Sequence, residues 1–342
     1  MNLWIAFLLS CSITAVLTPA VIAFCRKKSL FDRPGPRKIH TQPLPRLGGV
    51  SIFTGFWLGL FVSLKLANSF SAEFIYIFFG SLIIFILGIV DDLRNYDWRL
   101  KILMQILAGS ILISGGLAIQ VLYVPFLGTW NLGFWSIPVT LFWVVVLTNS
   151  INLIDGLDGL AAGVSLIVSL TLFWAGFFLE ISLLQFIALA LAGALAGFLP
   201  FNYFPARIFM GDSGALTAGF LFASLGLLFP IKGFTATALF IPLLTLGIPL
   251  VEATTTFIRR LKSGQAWHQA DQNHLFHRLL DLGLSQKVTV WLFYSSSLSF
   301  SFLVLCLVTL DRRAILSGLV LLYLFLSIAF IILVKHAAEK KK

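Results

Sequence analysis

The chain has 342 residues, 59% of them hydrophobic and 11% charged, with a net charge of +10 and a mean hydropathy of +0.98. Soluble domains carry about 25% charged residues, so a soluble globular fold is excluded and lipid is the main solvent. Cys11, Cys25 and Cys306 lie in or beside apolar runs with no spacing pattern, which excludes a disulfide framework and a thiolate metal site.

Each crossing of a bilayer takes roughly 20 apolar residues. The pattern predicts an all-α polytopic membrane protein with about eleven spans, at 2–24, 48–66, 73–90, 102–117, 136–152, 160–179, 183–199, 214–230, 235–256, 288–309 and 314–334. No room is left for a separate soluble domain, so 1–342 reads as one membrane-embedded domain. The first span has no basic segment before it and no small-residue cleavage site, and it runs into Arg26, Lys27 and Lys28. A retained helix with its N-terminus outside is expected. Alternating the spans puts the C-terminus in the cytoplasm, together with all of the 24 Lys and Arg except Lys65, Lys232, Arg312 and Arg313, as the positive-inside rule requires. The positive charge is first a record of topology and second a surface for anionic lipid or substrate; nucleic acid is not expected as a partner.

In chain order, the first cytoplasmic loop, 25–47, contains DRPGPRKIHTQPLPRLGG with Arg37, Lys38, His40 and Arg46. Taken alone it is a positive-inside loop. Asp91 and Asp92 then end a span directly after FILGIV, where the helix dipole disfavours negative charge. Either Arg94, Arg99 or Lys101 satisfies them as a solvated helix end, or they serve a cation or accept a proton. The external segment 118–135, with Pro125, Gly128, Gly133 and two Trp, reads as an interfacial hairpin with an aromatic belt.

The run NSINLIDGLDGLAAG places Asn149, Asn152, Asp155 and Asp158 at every third position, one polar stripe if the segment is helical. Such groups are costly in a membrane unless they face a cavity or ligand; gluing helices together is the bland alternative. Gly156 and Gly159 allow close backbone approach. Oxygen donors without thiolate suit magnesium better than zinc. In FNYFPARIFMGDSGALTAG, Asp212 and Ser213 precede an apolar span, where both fit N-cap positions, or where Asp212 is a metal ligand beside a helix N-terminus that holds phosphate. Asn202 and Phe209 offer an amide and a ring for a nucleobase. In HQADQNHLFHRLLDLG, Asp271, His274 and Arg278 share a helical face beside His277. These could make a zinc site, although the Arg favours an anion.

Five segments spread over residues 32–281 together resemble the polyprenyl-phosphate N-acetylhexosamine-1-phosphate transferases, the family with WecA, TagO and MraY types. They are DRPGPRKIHTQPLPRLGG, VDD, NLIDGLDGLAAG, FMGDSG and HLFHRLL, in that family's order. The resemblance implies a reaction at the cytoplasmic face of the bacterial plasma (inner) membrane, the first membrane step of a cell-surface glycan pathway. Undecaprenyl phosphate would attack the β-phosphorus of a UDP-sugar and release UMP. It implies magnesium, or manganese in its place, on Asp212 and Asn152, with Asp155 and Asp158 shaping the diphosphate and metal pocket. Asp91, with Asp92 beside it, would deprotonate or orient the lipid phosphate. Gly156, Leu157, Asn202 and Phe209 would form the uridine site, and His274, His277 and Arg278, helped by Arg46, would hold the phosphates or sugar. The loops 25–47, 91–101, 200–213 and 257–287 would build this site, and a homodimer is implied as well.

One departure stands out: the family's HLHHRL or HIHH string here reads HLFHRL, with Phe276 in place of the middle His. Either that ring is a spectator or sugar preference has changed. The muramyl-pentapeptide branch carries three consecutive His and a TPTMGG-like opening loop, so UDP-GlcNAc leads, followed by another UDP-N-acetyl-deoxysugar and UDP-MurNAc-pentapeptide. A transporter of an anionic lipid-linked or nucleotide cargo is the rival from another class. It should carry charge near the bilayer midplane, whereas the acidic residues here, apart from Glu73, Glu180 and Asp311, fall on the cytoplasmic side.

Overall fold

The computed structural model describes residues 2–32, 43–94, 96–124, 128–228, 247, 254 and 275–309. Among these residues helices dominate: α1 (Asn2–Lys27), α2 (Gly48–Ala67), α3 (Ala72–Arg94), α4 (Trp98–Ser114), α5 (Ser136–Ile154), α6 (Leu160–Phe178), α7 (Ser182–Asn202), α8 (Gly211–Leu227), the short α9 (Leu275–Asp281) and α10 (Gln286–Thr309). Among the described residues seven helical stretches are long and apolar enough to cross a membrane. Helices α4 and α8, 17 residues each, are shorter but lie on predicted spans. The predicted spans 235–256 and 314–334 fall outside the described residues, apart from Gly247 and Thr254.

The chain is not wholly helical. Val121–Val124 (β1) pairs antiparallel with Gly128–Asn131 (β2), which gives the expected hairpin, with Trp130, Phe134 and Trp135 exposed around it. The second pairing has no signal in the sequence: Phe31 and Asp32 lie against Pro45 and Leu44 in a two-residue ladder. Its effect is to bring Arg46 to the mouth of the bundle.

Helix α8 is the axis. Every residue from Gly211 to Gly226 is buried, with α2, α3 and α5 packed around it. The indole Nε1–H of Trp143 on α5 donates to the Ala223 carbonyl at 3.0 Å. Helix α7 is enclosed by α1, α2 and α6. In lipid the hydrophobic effect does not drive helices together, so small residues and interhelical hydrogen bonds do the joining. On α1 and α2 these are Thr14 and Ser10 beneath Gly55 and Gly59, and Thr18 Oγ1, which donates to Ser51 Oγ at 3.0 Å. Outward positions such as Leu8, Val16, Phe79 and Ile86 remain exposed, as a lipid-facing surface requires.

Candidate active site

The polar residues meet where α3 and α5 end and α2, α4 and α8 begin, so α3 and α5 run opposite to the other three. Asp91, on the last turn of α3, is 2% exposed. Its Oδ1 accepts the Tyr96 N–H at 2.8 Å, and its Oδ2 lies 2.6 Å from Lys101 Nζ. The same ammonium reaches Asp212 Oδ2 at 2.9 Å. Of the three cations considered for the Asp91–Asp92 pair, Lys101 is the partner of Asp91. Arg94 is exposed, and Arg99 pairs only loosely with Asp97, at 4.0 Å.

Asp92 has a different environment. Its Oδ1 accepts the Asp212 N–H at 2.8 Å, and its Oδ2 accepts the Ser213 N–H at 3.0 Å and the Ser213 hydroxyl at 2.7 Å. It therefore caps α8 from another helix, where the positive end of the dipole favours a carboxylate. The expectation that Asp212 and Ser213 cap their own helix is corrected: Asp212 lies in the first turn, and its carboxylate faces cations. Close approach makes this geometry. A Cβ on Gly88 would strike the Ser213 backbone, and Gly211, at φ +70°, carries its turn between Arg46 and Asp92.

Arg46 lies within this cluster. Its guanidinium is 3.3 Å from Asp92, 3.5 Å from Asp212 and 3.7 Å from Asp32. Among the described residues five carboxylates, Asp32, Asp91, Asp92, Asp155 and Asp212, thus gather around two cations, Lys101 and Arg46. The excess negative charge is expressed at Asp155, where burial first and then the charges of Asp212 and Asp92 push the carboxyl up to about 7, against the opposing pull of Arg46 and the Gly211 N–H.

The predicted stripe from Asn149 to Asp158 does not hold as one face, because α5 ends at Ile154 and α6 begins at Leu160 after Gly159 at φ +78°. Asn149 exchanges amide hydrogen bonds with Gln105 at 2.7 and 3.3 Å, the helix-gluing role. The Asn152 carboxamide makes no hydrogen bond with another described residue. Asp155 takes the Gly211 N–H, and Asp158 Oδ2 takes the Ala206 N–H at 3.0 Å. Gly156 is exposed and Leu157 is buried.

Asn202, 2% exposed, donates through Nδ2 to the Ile208 carbonyl at 2.9 Å and so shapes the turn leading to Phe209. The Phe209 backbone is tied to Pro45 and Gly48. On α9, His277 is half-buried and Arg278 exposed. Arg37, Lys38, His40, Asp271 and His274 lie outside the described residues. Sequence reasoning assigned no role to Asp32, and it treated Lys101 only as a neutralising neighbour. The available signal for Lys101 was a lysine at the start of the span after VDD.

Among the described residues no three carboxylate, imidazole or thiolate side chains form a ready-made metal cage. Magnesium does not demand one: it keeps waters and is bound through one or two carboxylates and substrate phosphates. Among the described residues, the excess of carboxylate over cation and the Asn152 carboxamide, which none of them hydrogen-bonds, fit that habit and do not fit zinc, which wants imidazole or thiolate.

Linkage at Asp155 makes a prediction. The unfolded carboxyl ionises near its ordinary value of about 3.9, whereas the folded one stays protonated to about 7. Between those values the folded state binds more protons, so metal-free stability should fall as pH rises from about 4 to about 7 and then level off. Asp155→Asn should make that slope shallower by the share this one carboxyl contributes, and its unfolding midpoint in chelator should exceed the wild type's at pH 8 but not at pH 4. Parallel midpoint–pH curves for the two proteins would refute the uncompensated charge.

Fold and site together define a polytopic membrane protein with a carboxylate-rich, cation-bridged centre at one end of its helix bundle, suited to phosphate substrates. Residues 74–229 match glycosyl transferase family 4, and the chain belongs to that family. It is 36% identical over 302 residues to a Bacillus subtilis protein named "probable undecaprenyl-phosphate N-acetylglucosaminyl 1-phosphate transferase", covering 87% of this chain and 82% of that one. It is 32% identical over 310 residues to a decaprenyl-phosphate N-acetylglucosaminephosphotransferase of Mycobacterium tuberculosis, covering 82% and 76%. A phospho-N-acetylmuramoyl-pentapeptide-transferase of Pelotomaculum thermopropionicum is 30% identical over 245 residues, covering 64% of this chain and 73% of that one.

Proposed function

We propose that this protein transfers N-acetylglucosamine 1-phosphate from UDP-GlcNAc to undecaprenyl phosphate, giving undecaprenyl-diphosphate-GlcNAc and UMP, at the cytoplasmic face of a bacterial plasma membrane. The observation that carries this reading is the Lys101 ammonium set between Asp91 and Asp212, a cation-bridged carboxylate centre at one end of the bundle of a chain whose relatives bear such names. Two N-acetylglucosaminyl relatives align over more of the chain than the muramyl one does, which favours GlcNAc over the larger sugar. A transporter would want its charge at mid-bilayer, and the observed cluster is at helix ends.

Phosphoryl transfer asks mainly for in-line positioning and neutralised charge. An oxygen of the lipid phosphate forms a bond to the β-phosphorus of the UDP-sugar as the bond to the bridging oxygen breaks, and UMP carries that oxygen away. Asp91 orients the lipid phosphate or takes its proton, while Lys101 and Arg46 offset the diphosphate charge. Asp212 and Asn152 would hold magnesium, which supplies charge neutralisation to the diphosphate when bound. Asp92 acts at one remove by fixing the start of α8. Leu157, Asn202 and Phe209 would shape the uridine site, and His277 and Arg278 would contact the sugar nucleotide. A homodimer and a single domain spanning 1–342 complete the proposal.

Purified protein with magnesium, undecaprenyl phosphate and a panel of UDP-sugars should release UMP, fastest with UDP-GlcNAc. A folded preparation that releases none with any sugar would sink the reading. Direct attack further predicts no phospho-sugar on the protein when lipid acceptor is withheld; a trapped covalent adduct would overturn that step.

A further inference from the structure

The departure at residue 276 has a structural answer. Phe276 is 3% exposed although it sits on a seven-residue helix whose next two residues are half-buried and exposed. The end of its ring lies over Gly156. A Cβ on that glycine would meet ring carbons Cε2 and Cε1 at 2.9 and 3.0 Å, with Cζ nearer still. Gly156 has no left-handed φ, so space and not backbone conformation demands a glycine there. Its neighbours are Asp155, tied to Gly211, and Leu157, 5% exposed and part of the same apolar cluster as Phe276. The His277 ring is 4.4 Å from that of Phe276, centroid to centroid, at 40°. An imidazole buried in the place of Phe276 would need hydrogen-bond partners; a phenyl ring needs only contact.

We propose that Phe276 is a positioning residue. Its ring docks on the bare α-carbon of Gly156 and so sets His277 and Arg278 against the turn that carries Asp155 and Asp158. The ring is neither a spectator nor a contact to the sugar. The benefit to catalysis rests on the function proposed above, while the docking itself does not.

A double-mutant cycle tests it with wild type, Gly156→Ala, Phe276→Ala and the double variant. The methyl of Gly156→Ala collides with the ring, but in Phe276→Ala the space is open. Either single change should raise KM for UDP-GlcNAc about tenfold with a much smaller change in kcat, the pattern of weakened ground-state binding. The double variant should be no worse than Phe276→Ala alone, a non-additivity expected of residues in contact. Phe276→Leu, which keeps apolar contact, should stay within about threefold of wild type. The same cycle read as unfolding midpoints without substrate should show the Gly156→Ala penalty vanish in the Phe276→Ala background. Equal penalties in both backgrounds would overturn the proposal. Should Gly156→Ala alone not be recovered folded, the double variant must be, and its failure too would overturn the docking. Because the unfolding cycle needs no turnover, absence of UMP release would refute the proposed reaction and leave the docking separately tested.

Discussion

Asp212→Asn is expected to lower UMP release by at least about a thousandfold while leaving the fold intact, since removing one preorganised electrostatic group costs about 10²–10³ and metal binding is lost with it. The change is isosteric, and the cap of α8 is unaffected because Asp92 is bonded to the backbone N–H of residue 212 and to Ser213, not to the Asp212 carboxylate. What disappears is the charge that faces Lys101 at 2.9 Å and Arg46 at 3.5 Å. Removing one of the five carboxylates that, among the described residues, gather around two cations should not destabilise the protein. Its unfolding midpoint in chelator should equal or exceed that of wild type, and the upward shift given to wild type by magnesium should be lost. Wild-type turnover in Asp212→Asn would refute the metal assignment. A collapsed midpoint would show that the carboxylate serves the fold instead. His336→Ala, in the basic C-terminal segment, is the control expected to change nothing.

How far this centre could be read from sequence depends on which interactions are local. The acidic residues stood out because carboxylates beside apolar spans are costly, and the helices around them followed from hydrophobic run length. Partners remote in sequence had no such signal. Asp92 caps α8 across 120 residues, so a local rule assigned the cap to Asp212 and Ser213. Asn149 lies in register with Asn152 in the sequence, yet its amide is spent on Gln105 of α4, while Asp155 and Asp158 leave the helix because α5 ends at Ile154 and α6 starts only at Leu160. Arg46 looked like one more positive-inside charge until the Phe31–Pro45 pairing placed it among three carboxylates.

Lys101→Met is the second change expected to have a large effect, and it separates charge from shape. The side-chain length is kept and the ammonium removed, which leaves Asp91 and Asp212 facing each other without the cation that sits 2.6 Å from one and 2.9 Å from the other. Breaking a buried pair on one side costs about 3–5 kcal/mol; with the Lys101 side chain 23% exposed the lower end applies, and the unfolding midpoint in chelator should fall by several degrees. UMP release should drop at least about a hundredfold, because a cation that balances the diphosphate in the transition state is gone. Two carboxylates that still need a cation should then draw magnesium harder, so the midpoint shift produced by magnesium should be larger than in wild type. The double variant Asp91→Asn with Lys101→Met should recover the midpoint in chelator and none of the turnover, since it removes the unpaired charge and supplies no chemistry. Turnover close to wild type in Lys101→Met would show that the bridge is structural only. A smaller magnesium shift than in wild type would show that the lysine helps to assemble the metal site, not that it occupies part of the space between the two carboxylates.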